Sequence, residues 1–260
     1  MKMALEGIRV LDVSEAGLAP VCCRILADMG AEVIKVERTG GGDQTRGILK
    51  ISGNVPIYDI NYVLEFYNMN KKGISLDLKQ KEGREILYKL VEKSDVFVCN
   101  FRPHALDDLK LRYEDIKKVN PKIIYTHLSG YGLHGPEKDT GAYDFVGYWA
   151  RSGVMASLGE PGTSLAFQVP GFGDNTTGMY AACAPAKGRK SASRSSAGEY
   201  GRWASFFPPC LPPGWNTGVF PAPTRATLSL TTTSAKTGAG YSSPASRAID
   251  TGTVSAMRWR

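Results

Sequence analysis

Residues 169–183, which read VPGFGDNTTGMYAAC, carry one acidic side chain, Asp174, directly after a Gly-X-Gly turn. The small and apolar residues that follow predict a tightly packed helix beginning near this aspartate. A carboxylate there can be a helix cap that accepts hydrogen bonds from free backbone N–H groups. The residues upstream decide whether this carboxylate does more than cap the helix.

The segments upstream of Asp174 predict an α/β fold. Apolar runs typical of buried strands cover residues 7–13, 31–37, 73–78, 95–99 and 122–128. Helical patterns cover residues 21–29, 81–93 and 113–119. Strands that alternate with helices at this spacing form a Rossmann-like parallel sheet with helices on both faces. Ligands of such sheets bind beyond the carboxyl ends of the strands, so site residues should follow the strands.

The composition changes abruptly near residue 184. Residues 185–260 hold ten Lys and Arg against two acidic residues, whereas residues 1–184 hold 22 against 23, so the net charge of +7 belongs to the tail. Ser, Thr, Ala, Gly and Pro make up 47 of the 76 tail residues, which leaves little apolar surface to offset the entropy of ordering. We predict an incomplete α/β domain over 1–184 and a disordered or non-native tail over 185–260, which a reading-frame shift would explain. A basic arm for nucleic acid is the disfavoured alternative, and no nucleic-acid partner is predicted.

The remaining composition argues against a membrane protein and against a metal site. No apolar run approaches the length of a membrane span, and the N-terminus has no signal-peptide core, so a cytoplasmic protein is expected. The five cysteines form no CxxC pair, and with three scattered histidines they give no metal-ligand spacing. Buried, reduced thiols are expected at Cys22, Cys23, Cys99, Cys183 and Cys210.

Polar and aromatic side chains follow several of the predicted strands. The first strand is followed by SEAGLAP instead of a G-x-G-x-x-G turn, which gives a dinucleotide cofactor little support. After the second strand, Arg38 and Arg46 flank three glycines, which suits phosphate recognition, although a solvated surface loop is the alternative. After the fourth strand, Asn100 and Arg102 offer donors and Phe101 a flat apolar face. A ligand with phosphates, a ring and an acyl group would match this edge.

Seven segments, taken in order, resemble the class III CoA-transferases, the family of formyl-CoA transferase, carnitine CoA-transferases and α-methylacyl-CoA racemase. They are GIRVLDV, GAEVIKVER, GGGDQTR, NKKGISLDL, SDVFVCNFRP, NPKIIYTHLSGYG and GFGDNTTGM, within residues 5–183. A family member would continue with an Ala/Leu-rich helix, a small domain and a returning C-terminal segment, which are not readable after residue 184. The resemblance implies an interlocked homodimer whose small domain closes the site, so we expect a chain of this length to be inactive alone.

By position, Asp174 resembles the catalytic aspartate of this family. The resemblance implies that its carboxylate attacks an acyl-CoA thioester to give a mixed anhydride, that the released CoA thiolate then forms an aspartyl-CoA thioester, and that a carboxylic acid finally accepts the CoA. Coenzyme A and acyl-CoA are therefore expected as substrates, with no permanently bound cofactor.

The resemblance also carries over a CoA site. Arg38 matches a position that contacts the CoA nucleotide, and Arg102 is a phosphate ligand by proximity alone. Further positions of the CoA site are matched by Leu76, Lys79, Asn100, Phe101 and Ala105, and Tyr143 is also expected to contact CoA. The loop at the acyl end is matched by Ala16, Gly17 and Leu18, with a glycine where the family often carries a glutamine.

One triplet favours transfer over racemisation. The racemase branch has a GHD triplet whose histidine shares proton transfer with the aspartate, whereas this chain has Ala142, Tyr143 and Asp144 there. Tyrosine is a poor proton carrier in both directions near neutral pH. The motifs look most like enzymes for (R)-2-hydroxyacyl or aryl-acyl groups, such as phenyllactate CoA-transferase. A racemase of the same family, a non-catalytic CoA-binding fragment and an unfolded pseudogene product are the alternatives.

Overall fold

The computed structural model describes residues 2–48, 50–51, 55–56, 60–158, 162–164, 169–183, 190–194 and 256–258. The strands of these residues are β1 Arg9–Val13, β2 Glu32–Glu37, β3 Lys50–Ile51, β4 Val55–Pro56, β5 Lys71–Ser75, β6 Val96–Cys99, β7 Ile124–Ser129, β8 Lys190–Arg194 and β9 Ala256–Arg258. The helices are α1 Leu18–Asp28, α2 Tyr62–Asn68, α3 Lys81–Glu92, α4 Pro103–Asp108, α5 Tyr113–Val119, α6 Val154–Ser157 and α7 Phe172–Cys183. A 3-10 helix covers Gln44–Gly47 and a π-helix covers Phe145–Ala150.

Seven strands form one sheet in the order β8-β7-β6-β1-β2-β5-β9, and β3 pairs with β4 in a separate hairpin. The five inner strands β5, β2, β1, β6 and β7 are parallel, which confirms the predicted sheet. The chain moves outward from β1 through β2 to β5, and then crosses back to β6 on the other side of β1. The carboxyl ends of β1 and β6 therefore flank the point where the strand order reverses, the usual position of a ligand crevice.

The sheet carries an apolar core on each face, because successive side chains of a strand point to opposite faces. On one face, Leu11 and Phe97 pack with buried side chains of α3, α4 and α5. On the other, Val10 and Val98 pack with α1 and with Ala181 of α7. The predicted helices on both faces are thus confirmed.

Helices α1 and α7 approach each other so closely that their backbones meet. A Cβ atom added to Gly178 of α7 would collide with the Val21 side chain and would lie 2.9 Å from the Leu18 carbonyl oxygen. Only glycine allows this distance, because it lacks that atom. The contact brings the first turn of α7, which carries Asp174, to the start of α1.

Two segments of the tail are strands, although the sequence analysis expected no regular structure there. β8 pairs in parallel with β7, and β9 pairs antiparallel with β5. β7 and β5 would otherwise be edge strands, whose free N–H and C=O groups readily pair with another strand. The expectation is wrong for these two segments. The rest of the tail lies outside the described residues, so its disorder and the domain boundary remain predictions.

The cysteines agree with the sequence analysis except at one position. Cys22, Cys23 and Cys99 are free and buried, as predicted, whereas Cys183, the last residue of α7, is free but exposed. Cys210 lies outside the described residues. None of the helices in the described ranges combines the length and hydropathy needed to cross a bilayer. The described side chains also contain no group of three His, Cys, Asp or Glu residues arranged to bind a metal ion.

Candidate active site

The helix predicted after the Gly-X-Gly turn is α7, and Asp174 lies in its first turn. Gly171 has a φ of 73°, in the left-handed region that favours glycine. A Cβ atom on Gly173 would collide with the Tyr148 ring and with Asp144. Both glycines are therefore required by the turn that delivers the aspartate.

The helix cap is Asp144 rather than Asp174. Asp144 Oδ1 accepts from the Asp174 N–H at 3.0 Å, and Oδ2 accepts from the Gly171 N–H at 3.0 Å and from Trp149 Nε1 at 3.1 Å. The Gly173 N–H also bonds to this carboxylate, and Asp144 is only 7% exposed. The N–H groups of Gly171 and Gly173 are therefore already engaged by Asp144. Because Asp144 caps α7, the Asp174 carboxylate is not needed as the helix cap.

Burial gives Asp174 an unusual proton affinity. It raises the pKa of Asp174 from its ordinary value of 3.8 to about 7, and the neighbouring Asp144 carboxylate contributes in the same direction. Burial likewise raises the pKa of Tyr67 to about 12, with further contributions from the charges of Asp174 and Asp144. A carboxylate that loses its proton near neutral pH is more basic than usual, which favours attack on a thioester carbonyl.

The raised pKa of Asp174 predicts how the stability of the fold depends on pH. The folded chain binds the Asp174 proton more tightly than the unfolded chain, so this group stabilises the fold below pH 4 and loses that contribution as the pH rises to about 7. A shift of this size corresponds to at most about 4 kcal/mol. We expect Asp174→Asn to unfold at higher urea concentration than the unsubstituted chain at pH 8, and at a similar one at pH 4. Equal differences at both pH values would contradict the raised pKa.

The loop after β1 lies directly against Asp174. A Cβ atom on Gly17 would be 2.6 Å from Asp174 Oδ2 and 3.1 Å from the Tyr67 hydroxyl oxygen. The position where the family often carries glutamine therefore has no room for a side chain in this arrangement. Gly17, Tyr67 and the first turn of α7 together enclose the carboxylate.

A cleft of about 360 Å³ opens at the carboxyl ends of β1, β6 and β7. Eight of the predicted site residues line it, namely Ala16, Leu18, Asn100, Phe101, Arg102, Ala105, Tyr143 and Asp174. Sequence reasoning did not single out other lining residues, which include Glu15, His104, Ser129, Tyr131 and Lys138. Several of these residues directly follow predicted strands, and this position could have identified them as candidates for the site.

Three of the predicted CoA-site side chains do not line this cleft. Leu76 is 3% exposed and packs in the apolar core, so its side chain is not available to a ligand. Arg38 is largely exposed beside the cleft, donates to the Gly42 carbonyl at 2.9 Å and lies 3.9 Å from Glu15. Lys79 is exposed after β5. The lining of the cleft therefore gives no support to the prediction that these three side chains contact CoA.

Two polar side chains expected to face a ligand bind the protein instead. Arg46 donates to both carboxylate oxygens of Glu37, at 2.7 and 2.8 Å. The Asn100 amide accepts from the Glu15 N–H at 3.0 Å and donates to the Glu15 carbonyl at 2.8 Å. Asn100 lines the cleft, but its described contacts fix the loop after β1.

Comparison with known proteins identifies relatives over the part of the chain that carries the cleft. The model of "CoA-transferase family III" matches residues 5–195. An (R)-2-hydroxy-4-methylpentanoate CoA-transferase of Clostridioides difficile is 42% identical over 180 residues, 68% of this chain and 44% of its own length. A cinnamoyl-CoA:phenyllactate CoA-transferase of Clostridium sporogenes is 35% identical over 75% of this chain and 47% of its own length. The chain thus spans about half the length of these curated relatives.

Solved structures show the same fold. A Mycobacterium tuberculosis protein in an orthorhombic crystal form superposes with a TM-score of 0.69 at 27% identity, over 78% of this chain and 58% of that one. A CAIB/BAIF family protein from Brucella suis gives 0.68 at 28% identity, over 80% of this chain and 58% of that one.

Proposed function

This chain belongs to CoA-transferase family III, and we propose that it moves CoA from an acyl-CoA to a carboxylic acid with Asp174 as the nucleophile. The observation that carries the proposal is the placement of Asp174. Its half-buried carboxylate lines the cleft, and another residue, Asp144, caps the helix. A carboxylate used only for structure would be expected to make those cap bonds itself.

The proposed reaction balances without any external base. An Asp174 oxygen attacks the thioester carbonyl, the C–S bond breaks, and an acyl-aspartyl anhydride and a CoA thiolate form. The thiolate attacks the aspartyl carbonyl and releases the first acid as a carboxylate, leaving an aspartyl-CoA thioester. The acceptor carboxylate attacks this thioester, and the thiolate released then attacks the acceptor acyl group, which regenerates Asp174. The enclosure by Gly17 and Tyr67 supports this chemistry, because water would hydrolyse each intermediate.

The substrate class is proposed from the relatives and from the cleft. The two curated relatives are named for (R)-2-hydroxy-4-methylpentanoate and phenyllactate, which are 2-hydroxy acids with a branched or aromatic group. The apolar and aromatic side chains of Phe101, Tyr131 and Tyr143 line the cleft of this chain, as an acyl group of that kind would need. We therefore propose a 2-hydroxyacyl or aryl-acyl group as the cargo.

Trapping of the acylated aspartate tests the proposal. The 260-residue chain, and a chimera that joins residues 1–183 to the second half of the C. difficile relative, are incubated with an aryl-acyl-CoA and quenched with hydroxylamine. We expect mass spectrometry to find a hydroxamate at Asp174 of the chimera. Labelling of the chimera alone would support the function and show that the second half is needed. Absence of the label in both proteins, or exchange of the α-proton without transfer of CoA, would overturn the proposal.

Arg38 is proposed as a ligand of the CoA phosphates, because it is exposed beside the cleft and close to the lining residue Glu15. We expect Arg38→Ala to weaken CoA binding by about 1–3 kcal/mol, the range for a charge-assisted hydrogen bond. Calorimetric titration with CoA at low salt measures the change. The matched control is Lys118→Ala, which removes an exposed cation on α5, a different element from the loop that carries Arg38. Equal effects of both substitutions on CoA binding would contradict a specific contact at Arg38.

The homodimer implied by the family is proposed for the complete protein. On α7, Met179 and Tyr180 are more than half exposed, and Phe172 in its first turn is nearly half exposed. Apolar side chains grouped in this way are typical of surfaces that a second polypeptide covers.

A further inference from the structure

Lys35 and Asp43 form an ion pair whose two side chains are completely buried. Lys35 Nζ lies 2.8 Å from Asp43 Oδ2. Burial by itself would lower the pKa of Lys35, but the carboxylates of Asp12 and Asp43 raise it above its ordinary value. Burial by itself would raise the pKa of Asp43, but Lys35 and hydrogen bonds from Thr45 lower it. Both groups therefore stay charged inside the protein.

The pair binds the backbone of the loop that follows β1. Lys35 Nζ donates to the Ser14 carbonyl at 2.9 Å, and Asp43 Oδ1 accepts from the Ala16 N–H at 3.2 Å. The residue between them, Glu15, has both backbone groups bound by Asn100, as described above. Three consecutive residues are thus fixed by side chains that come from three other places in the fold.

The loop needs such fixing, because its conformation is unusual. Ala16 has a φ of 66°, in the left-handed region that costs a residue with a Cβ atom some free energy. A residue persists there only when its surroundings hold it in place. The next residue, Gly17, is the one that abuts the Asp174 carboxylate and the Tyr67 hydroxyl. The position of Gly17 therefore depends on the contacts made at residues 14–16.

We propose that Lys35 and Asp43 are positioning residues, which hold residues 14–17 against the Asp174 carboxylate and so keep water away from it. This inference rests on the proposed role of Asp174 as nucleophile. A buried ion pair contributes little to stability compared with apolar side chains of the same volume, whereas it can fix one arrangement of the groups around it. The polar groups that face Asp174 directly are Asp144 and Tyr67, so the pair acts through the loop and not by its own charge.

The neighbouring buried pair, Lys71 and Asp12, provides a matched control. It is equally buried, with Nζ 2.8 Å from Asp12 Oδ2, but Lys71 donates to the Pro20 carbonyl in α1 at 2.8 Å instead of to the loop backbone. Asp12 also accepts from the Ser14 hydroxyl, a bond that an asparagine can retain. The double variant Lys71→Met/Asp12→Asn also removes a carboxylate charge near Lys35, but it leaves the bonds from Lys35 to the Ser14 carbonyl and from the Ala16 N–H to Asp43 in place. The double variant Lys35→Met/Asp43→Asn removes the Lys35 bond and the Asp43 charge, so the two variants neutralise similar pairs and differ in their effect on the loop backbone.

The test is an NMR titration of the carboxyl carbon of Asp174 in the full 260-residue chain, labelled with ¹³C-aspartate. We expect the pKa of Asp174 to fall by at least about one unit, a tenfold change in proton affinity, in Lys35→Met/Asp43→Asn and to stay near its original value in the control. An unchanged pKa in both variants, or the same fall in both, would overturn the proposal. Because this readout needs no CoA, it distinguishes a failure of the positioning role from a failure of the proposed transferase function.

A second measurement remains decisive if the first double variant does not fold. Amide hydrogen exchange of the unsubstituted chain reports directly on the loop. We expect the Ala16 amide to exchange at least about 100-fold more slowly than an unstructured amide, because it donates to a buried carboxylate. Exchange at the unstructured rate would show that residues 14–17 are not held, and would equally overturn the proposal.

Discussion

Acylation is expected to slow by roughly three to six orders of magnitude when Asp174 is replaced by Asn, since loss of a covalent nucleophile removes the pathway itself. The chimera described above, with an aryl-acyl-CoA donor, provides the assay, and single-turnover kinetics separate acylation from the later steps. The asparagine amide keeps the size of the side chain, so the cleft should still bind CoA. Thus we expect the affinity for CoA to change much less than the rate.

Asp107→Asn is the matched control for this substitution. Asp107 is an exposed aspartate that pairs with Arg112 at 2.6 Å, away from the Asp174 turn. We expect it to leave acylation unchanged. If Asp174→Asn retained more than about a tenth of the original rate, another group would have to be the nucleophile.

Asp144→Asn is expected to have the second largest effect, because it disturbs the turn without removing the proposed nucleophile. The amide cannot accept with both of its polar atoms, so buried N–H groups of Gly171, Asp174 or the Trp149 indole lose a partner. Unpaired buried donors of this kind cost about 1–3 kcal/mol. A nucleophile displaced by about 1 Å can also lose on the order of 100-fold in rate.

The same substitution should change the titration of Asp174. The charge of Asp144 raises the pKa of Asp174, so its removal should lower that pKa, provided that the pocket stays closed to water. Urea unfolding and the carboxyl titration give the two readouts. Asp77→Asn is the control, because Asp77 also accepts from a backbone N–H, that of Lys79 at 3.0 Å, but near the surface. Equal losses of stability in the two variants would contradict the importance of burial at Asp144.

The position of Asp174 was predictable, whereas its cap was not. The GFGD turn before a run of small residues is a local signal, and so are the apolar strands that define the sheet. Asp144 lies 30 residues upstream in a loop, and only the tertiary fold brings its carboxylate to the N-terminus of α7. Helix α2 was missed although Asn61, which accepts from the Leu64 N–H, is a recognisable N-cap before it.

Lys35 shows why sequence patterns fail for buried charges. In the strand EVIKVE, a lysine is expected to face solvent, because lysine is almost never fully buried unless it is paired. The structure buries it completely, since Asp43, Asp12 and the Ser14 carbonyl are grouped around its ammonium. No rule of spacing connects a strand lysine with an aspartate in a following glycine-rich loop. Likewise, Leu76 matched the family pattern for a CoA contact, but burial in the core decides where its side chain points.

The glycine contact between α1 and α7 limits how the proposed transferase could acquire new substrates. Gly178 locks the two helices, so a larger residue there would move Leu18 and the Asp174 turn together. In a library of random substitutions, almost no replacement should therefore be tolerated at the contact between α1 and α7. Variation that changes the preferred acid of the proposed transferase should accumulate at lining positions outside α1 and α7, such as Ser129, Tyr131, Thr140 and Tyr143. Attempts to redirect the proposed activity by mutagenesis should start from these positions.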